Sequence, residues 1–500
     1  MTIANPVANE PSWTVLVDRP ETTYSRPLLG SELLCDQFAQ FYDGLAEPVM
    51  GVTFTSMLPH DELEARTRKA FARLRFVSPV IAATLENVHD THLRSFVYTA
   101  TSDVSGIQLW ARESLIVRHE AMDVEAFIAS INQTKLPYVL SDGTQQILRA
   151  YLYLGPAEGG NKHAIFFHGS HTLMDARPTF AALSLLLEFM SDDALGPLEE
   201  WEWGSEWKAL PAGPVTATGG PKEDYEGAGL ALKNRAVETM TSKLASHSLD
   251  PQRQEAQVAG RPVRVRVIVP ADTSSKLLKA AKGLGYTVTH LFEAAQALAI
   301  FAINPPSDED KPEAHITWPQ SIISLSKWQV PPHNTKAHFV GTLTLVPTKV
   351  RYVDVLWSES PKGRLLALMQ HARAQYDFYL KNPHLPHFTA AMVTLNPPRE
   401  PGISRNPFAT TITNLGVVEQ TIPTEWHIRG VTGTPGDGVP AITVQEMAFG
   451  HRLTQPNPLT HIWTMHSQMY VQVEASDHWD KDYLQKYVEE IVRQAELLVE

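Results

Sequence analysis

The sequence predicts an α/β protein with mixed sheets, arranged as two large halves. Three observations carry that expectation. The chain has 500 residues, about three times the ~150 of a typical domain. Short β-rich runs alternate with helix-like stretches on both sides of the middle. Between Pro197 and Pro262 the composition turns to Gly, Pro and acid, as expected of an exposed crossing segment. The chain therefore divides into a first half over 1–210, a crossing segment over 211–260 and a second half over 261–500.

Each element follows from its local pattern. Pro6, Pro11, Pro20 and Pro27 break any helix before Ser31. From Asp61 to Leu74 the residues Leu63, Ala70, Phe71 and Leu74 share one helical face with charges opposite, which predicts an amphipathic helix. FVYTA near Phe96, IQLWA near Ile107, ILRAYLYL near Ile147 and AIFF at Ala164 read as strands. The stretch ARPTFAALSLLLEFM then predicts a helix, with Pro178 suited to its first turn. In the second half RVRVIVP alternates as a strand, SSKLLKAAKGLG is a helix stopped by glycine, and THLFEAAQALAIFAI is a more deeply buried helix. Strands follow at SIISL, FVGTLTLVP and AITVQEMAF. HIWTMHSQMYVQVEA is strand-like, and DKDYLQKYVEEIVRQAELLV closes the chain as an amphipathic helix. No period of about 20 to 50 residues appears, so a solenoid is not supported.

Composition narrows the function. Apolar residues make up 43%, and 28 glycines add to them, which fits a globular core and excludes disorder and collagen. The net charge is −13 with no basic block, which argues against a broad nucleic-acid surface or an anionic-membrane anchor. Any anionic ligand must then meet a local basic pocket. A single cysteine, Cys35, allows neither an internal disulfide nor a CxxC metal site, and it reads as a small buried apolar residue. The start MTIANPVANEPSW lacks a basic run followed by an apolar core, and the most apolar stretch, from Leu291, is interrupted by Glu293 and Gln296. We therefore expect a cytoplasmic monomer with no membrane or nucleic-acid partner.

Motifs sharpen this by elimination. GxSxG, GxxxxGK[ST], HExxH and GxGxxG are all absent, which removes support for elbow-type serine hydrolases, nucleotidases and zincins. The pairs His89/His92 and His168/His171 have metal-like spacing but no further ligand cluster, so no metal is expected. With 20 histidines, about one HxxxD pattern should arise by chance. Three occur: His119 to Asp123, His171 to Asp175 and His478 to Asp482. The first and third sit among charges, where a solvated histidine is the default. His171 instead follows AIFFHGS and precedes a Leu-rich helix, placing it on the turn that leaves a buried strand. There an imidazole has one face against the core and one toward a cavity, the setting a general base needs. Asp175, one turn on, can lock the loop or cap the helix without touching substrate.

At these residues the sequence resembles the HxxxD acyltransferase superfamily: chloramphenicol acetyltransferase, plant CoA-dependent acyltransferases and peptide-synthetase condensation domains. DELEARTRKAFARLRFVSPVIAATL looks like the family's opening helix, and FFHGSHTLMDA is similar to its HHxxxDG core. GYTVTHLFEAAQALAI resembles its second-half helix and TNLGVVE its Asn-x-Gly strand. Fungal trichothecene acetyltransferases are nearest in overall look. The resemblance implies two chloramphenicol-acetyltransferase-like domains with a tunnel between them. It makes His171 the general base and Asp175 its structural partner, with Asn414 and Gly416 lining the substrate channel. It also implies acyl-CoA, in the acetyl form in this branch, as co-substrate, with no permanently bound cofactor, and a small hydroxylated acceptor. Ser170 replaces the first histidine of the doublet, Ala176 replaces the glycine, and the plant-type DFGWG segment has no counterpart. SIISLSKWQVPP lies where relatives show Asn and Arg, and no charge partner for Asp175 is assigned to Lys327. Two other readings keep the fold: a condensation-like enzyme or cyclase taking a carrier-bound substrate, and a binding relative in which His171 is only structural.

Overall fold

The computed structural model describes residues 4–19, 21–88, 91–156, 162–256, 258, 261–356, 358–395, 405–428 and 439–500. A six-stranded sheet organises the first half, in the order Glu425–Trp426, Ile442–His451, Pro48–Ser56, Lys162–Gly169, Leu148–Leu154, Leu115–Arg118. Pairing is antiparallel except between the last two strands. The central strand reads KHAIFFHG and is buried after its first residue, because both sheet faces are covered. Phe167 faces the helices His60–Val77 and Ala176–Met190, where Phe71, Leu74, Phe180 and Leu183 pack. Phe166 faces the opposite side, against Phe127 of the helix Val124–Ile131. Gly51 is required by this close strand pairing, since a Cβ there would lie 2.2 Å from the Ile165 carbonyl oxygen.

The second half holds a four-stranded sheet in the order Pro262–Val269, Gln468–Ser476, Leu459–Met465, Thr411–Val417, and a two-stranded ribbon of His315–Ser324 with Leu343–Arg351. The helix Val288–Ile303 runs through its core between the helices Pro361–Lys381 and Lys481–Glu496. Thr287 starts it with a capping box to His290. Buried Gln296 is fully used: its amide donates to Thr410 and Thr460, and its oxygen accepts from the Trp318 indole. No single helix among the described residues is long and apolar enough to cross a membrane.

Four features depart from the sequence expectations. IQLWA lies in a helix, Val104–Ser114, because Ile107, Trp110, Ala111 and Ser114 recur at helical spacing and Asp103 caps the start with both carboxylate oxygens. HIWTMHSQMYVQVEA is two strands joined by a hairpin at His466 and Ser467, which both take positive φ. The crossing segment is less exposed than its composition suggests: its helix Leu230–Met240 buries Leu232 and Ala236 against Val346 and Tyr379. The fourth departure shapes the site. The strand Ile442–His451, expected within the second half, pairs with Pro48–Ser56 in the sheet of the first. The next strand, Leu459–Met465, returns to the second-half sheet, so the chain ties the halves together beside the HxxxD loop.

Candidate active site

The strand Lys162–Gly169 ends where Gly169 and Ser170 turn the chain. The Ser170 amide donates to the Ile147 carbonyl, and Leu173 and Met174 both donate back to the Ser170 carbonyl, closing a tight loop. Leu173 and Met174 are fully buried and pin it from below. Ser170 also hydrogen-bonds Thr172 through its hydroxyl at 2.8 Å, a use for serine in place of a second histidine. Ala176 begins the following helix in helical conformation, where glycine is not needed.

Asp175 is the N-cap of that helix. Its Oδ1 accepts from the Arg177 amide at 3.1 Å, and its Oδ2 accepts from the Thr342 amide of the second half at 2.6 Å. A second strap joins the Gly341 amide to the Thr172 carbonyl. The HxxxD loop is thus clamped to both halves. Burial pushes the Asp175 carboxyl up to about 7, opposed by the two amides and the Arg177 guanidinium. Arg177 is therefore the cation beside Asp175, whereas Lys327 stacks over its neighbour Trp328.

His171 stands on the wall of a cavity of about 530 Å³ lined from both halves and the crossing segment. Its Nδ1 lies 3.7 Å from Cys35 Sγ, which leaves Nε2 as the edge for a ligand. Burial, followed by the charge of His451, lowers the His171 pKa to about 4, while its own backbone carbonyl favours the charged form. The imidazole is accordingly neutral at pH 7. Burial and three nearby carboxylates push the Cys35 thiol well up, so it stays protonated.

Asn414 also lines the cavity. Its Oδ1 accepts from the Gly416 amide at 2.9 Å across a register shift in the strand Thr411–Val417, and its Nδ2 donates to Thr289. Gly416 is not on the cavity wall. It has φ +82°, and a Cβ there would meet the Arg177 guanidinium at 2.6 Å, so glycine makes room for that side chain. The other histidines of the sequence patterns lie elsewhere: His168 is buried against Tyr138, His119 pairs with Glu64, and His478 bonds Ser476. His89 lies outside the described residues.

Sequence reasoning missed His451, His461 and Glu474. His451 stacks on His171 with ring centroids 6.1 Å apart and planes at 21°, and on His461 at 5.2 Å and 15°. Both imidazoles reach the fully buried Glu474, whose carboxyl they hold far below its usual range. The only signal for them is a glutamate on a strand, MYVQVEAS, that is otherwise suited to complete burial. Their donor atoms lie within 4.8 Å of one another. The 2.8 Å contact of His461 with Glu474 is nevertheless shorter than the ~3.3 Å that separates neighbouring ligands of a tetrahedral zinc, and His451 is already hydrogen-bonded to the carboxylate.

The remaining wall is apolar at Phe38, Met50, Met174 and Phe449, with Arg177 and Arg405 as its guanidinium groups. A neutral imidazole, an apolar chamber and isolated cations can receive an apolar alcohol and an anionic co-substrate in one space.

No protein-family model and no curated protein sequence matches this chain. Solved structures do. Trichothecene 15-O-acetyltransferase TRI3 from Fusarium sporotrichioides superimposes with a TM-score of 0.79 at 16% identity, covering 99% of each chain. The condensation domain of the Monacolin K polyketide synthase MokA gives 0.62 at 12% identity, covering 94% of this chain and 96% of that one. The epimerization domain from the third module of tyrocidine synthetase B gives 0.61 at 10%, with 94% and 96% covered. The chain shares the two-domain fold of the acetyltransferases and condensation domains, as the FFHGSHTLMDA and TNLGVVE segments led us to expect.

Proposed function

We propose that the protein is an acyl-CoA-dependent O-acyltransferase that acylates a hydroxyl of a small apolar natural product, with His171 as general base. The observation that carries this reading is a neutral imidazole, clamped by Asp175 to both halves, on the wall of a chamber that both halves line. His171 Nε2 takes the hydroxyl proton as the oxygen attacks the thioester carbonyl. A C–O bond forms, the carbonyl becomes an oxyanion, and its collapse breaks the C–S bond. The departing thiolate takes the proton from the imidazolium, which restores neutral His171. Nothing is left attached to the enzyme.

Such a base contributes about 10²–10⁴ in rate, roughly 3–5 kcal/mol. Holding both substrates in line supplies a further large share. The fit to an acetyltransferase over the full chain supports the reading. The test is thiol release from acetyl-CoA with a panel of hydroxylated terpenoids, a deacylated trichothecene among them. His171→Ala should keep its fold and lose at least about a hundredfold in turnover; unchanged turnover overturns the assignment. The likeness to condensation and epimerization domains favours one second reading, a carrier-bound donor. Product from a carrier-protein thioester, with none from acetyl-CoA, would select it.

A further inference from the structure

The acyl-transfer reading leaves a buried charge cluster beside His171 without a use. Glu474 lies on the strand Gln468–Ser476 and is 0% exposed. Its Oε1 accepts a short hydrogen bond from His451 Nδ1, its Oε2 accepts from the His451 backbone amide at 3.2 Å, and His461 Nε2 lies 2.8 Å from Oε1. These two imidazoles are its charged partners among the described residues. A carboxylate withdrawn from water costs several kcal/mol unless neutralised, so the cluster holds one proton on an imidazole. The His461 contact is off the line of a hydrogen bond, whereas His451 makes an aligned one. His451 is therefore the imidazole that the carboxylate holds in an aligned hydrogen bond.

We propose that His451, kept as an imidazolium by Glu474, is a catalytic residue that donates a hydrogen bond to the oxyanion formed when the thioester is attacked. The inference rests on the acyl-transfer reading and adds to it the electrophilic partner of the base. His451 and His171 line the same cavity with ring centroids 6.1 Å apart and planes at 21°, so a substrate held in that cavity can meet an edge of each ring. With Nδ1 committed to Glu474, the free donor of His451 is Nε2.

The pairing also divides acid from base. A fixed positive charge on His451 opposes a second one on His171, so one ring stays neutral and the other charged at the same pH. Among the described residues, the groups that face His171 are Cys35 from the helix Ser31–Phe41 and His451 and His461, backed by Glu474, from the neighbouring strands, while Asp175 and Arg177 line the same cavity. Of these, only the Glu474 cluster places a cation against the ring face.

Imidazole ¹⁵N NMR of the intact protein at pH 7, with His451 assigned by its Gln variant, reads the charge directly. The wild-type ring should be cationic and the ring in Glu474→Gln neutral; a neutral wild-type ring overturns the proposal. In thiol release from acetyl-CoA with the acceptor found above, His451→Gln and Glu474→Gln should each lower plateau kcat/KM by about 10²–10³. Glu474→Gln should also move the acid limb up by about one pH unit, as His171 loses its charged neighbour. Plateau rates within about threefold of wild type, while His171→Ala is inactive, sink this proposal and leave the base in place. An active His171→Ala sinks the underlying reading instead. Should Glu474→Gln fail to fold, His451→Gln carries the kinetic arm. One equivalent of zinc in the purified protein, absent from His461→Ala, overturns the imidazolium.

Discussion

Replacing Asp175 by asparagine separates the two things its carboxyl does. The side chain ties the Arg177 and Thr342 amides together, and it does so buried. Burial raises its pKa from 3.8 to about 7. At about 1.36 kcal/mol per pH unit, three units mean that ionised Asp175 weakens the fold by about 4 kcal/mol relative to its protonated form. Because the folded value lies above the unfolded one, the folded chain holds more protons between them. Wild-type stability therefore falls, relative to Asp175→Asn, as the pH climbs from about 4 to about 7. The asparagine does not titrate but keeps only one acceptor oxygen, so one backbone amide faces its NH₂ group at a cost of about 1–3 kcal/mol. Wild type should thus be the more stable protein near pH 4, with the order reversed by about pH 8. Urea unfolding followed by tryptophan fluorescence measures the difference, in which all other titrations cancel. A gap that is constant, or that widens with pH, would refute the reasoning: the two amides and Arg177 would then outweigh burial.

Three further tests address separate parts of the structure. The acid limb of kcat/KM should fall near pH 4 to 5, because His171 has a pKa of about 4 and works when neutral; a limb at about 6.5, the ordinary histidine value, contradicts the described environment. Gly416→Ala should cost about 1–2 kcal/mol, since the added Cβ requires left-handed backbone and displaces the Arg177 guanidinium; unaltered thermal stability contradicts that contact. Glu32→Ala should lose about 3–5 kcal/mol by stranding Arg26 in a pair that is 0% exposed on both sides, and the double change Arg26→Met with Glu32→Leu should recover most of it by chemical denaturation.

How much of this was legible beforehand depended on whether the deciding interaction was local. Ala176–Met190 and Lys481–Glu496 could be read from apolar spacing because burial of one helical face forms them. IQLWA fits a strand as well as a helix, because a five-residue apolar run cannot separate the two, and Asp103, outside it, tips the choice. His171 and Asp175 stood out because a strand, a turn and a helix cap are contiguous in the chain. His451, His461 and Glu474 had no such signature, since they come from three strands and acquire meaning only when the carboxylate loses its water.

By itself the sequence determined an α/β chain in two halves, a histidine at a strand exit and an aspartate placed to cap the next helix, all of which follow from short-range periodicity and turn chemistry. Only tertiary structure decided that Ile442–His451 crosses into the first sheet, that Thr342 closes the loop from the far half, and that a buried carboxylate sets a cation beside the base. Those outcomes depend on which distant groups share a space without water, and desolvation energy is a property of the packed molecule and of no local pattern.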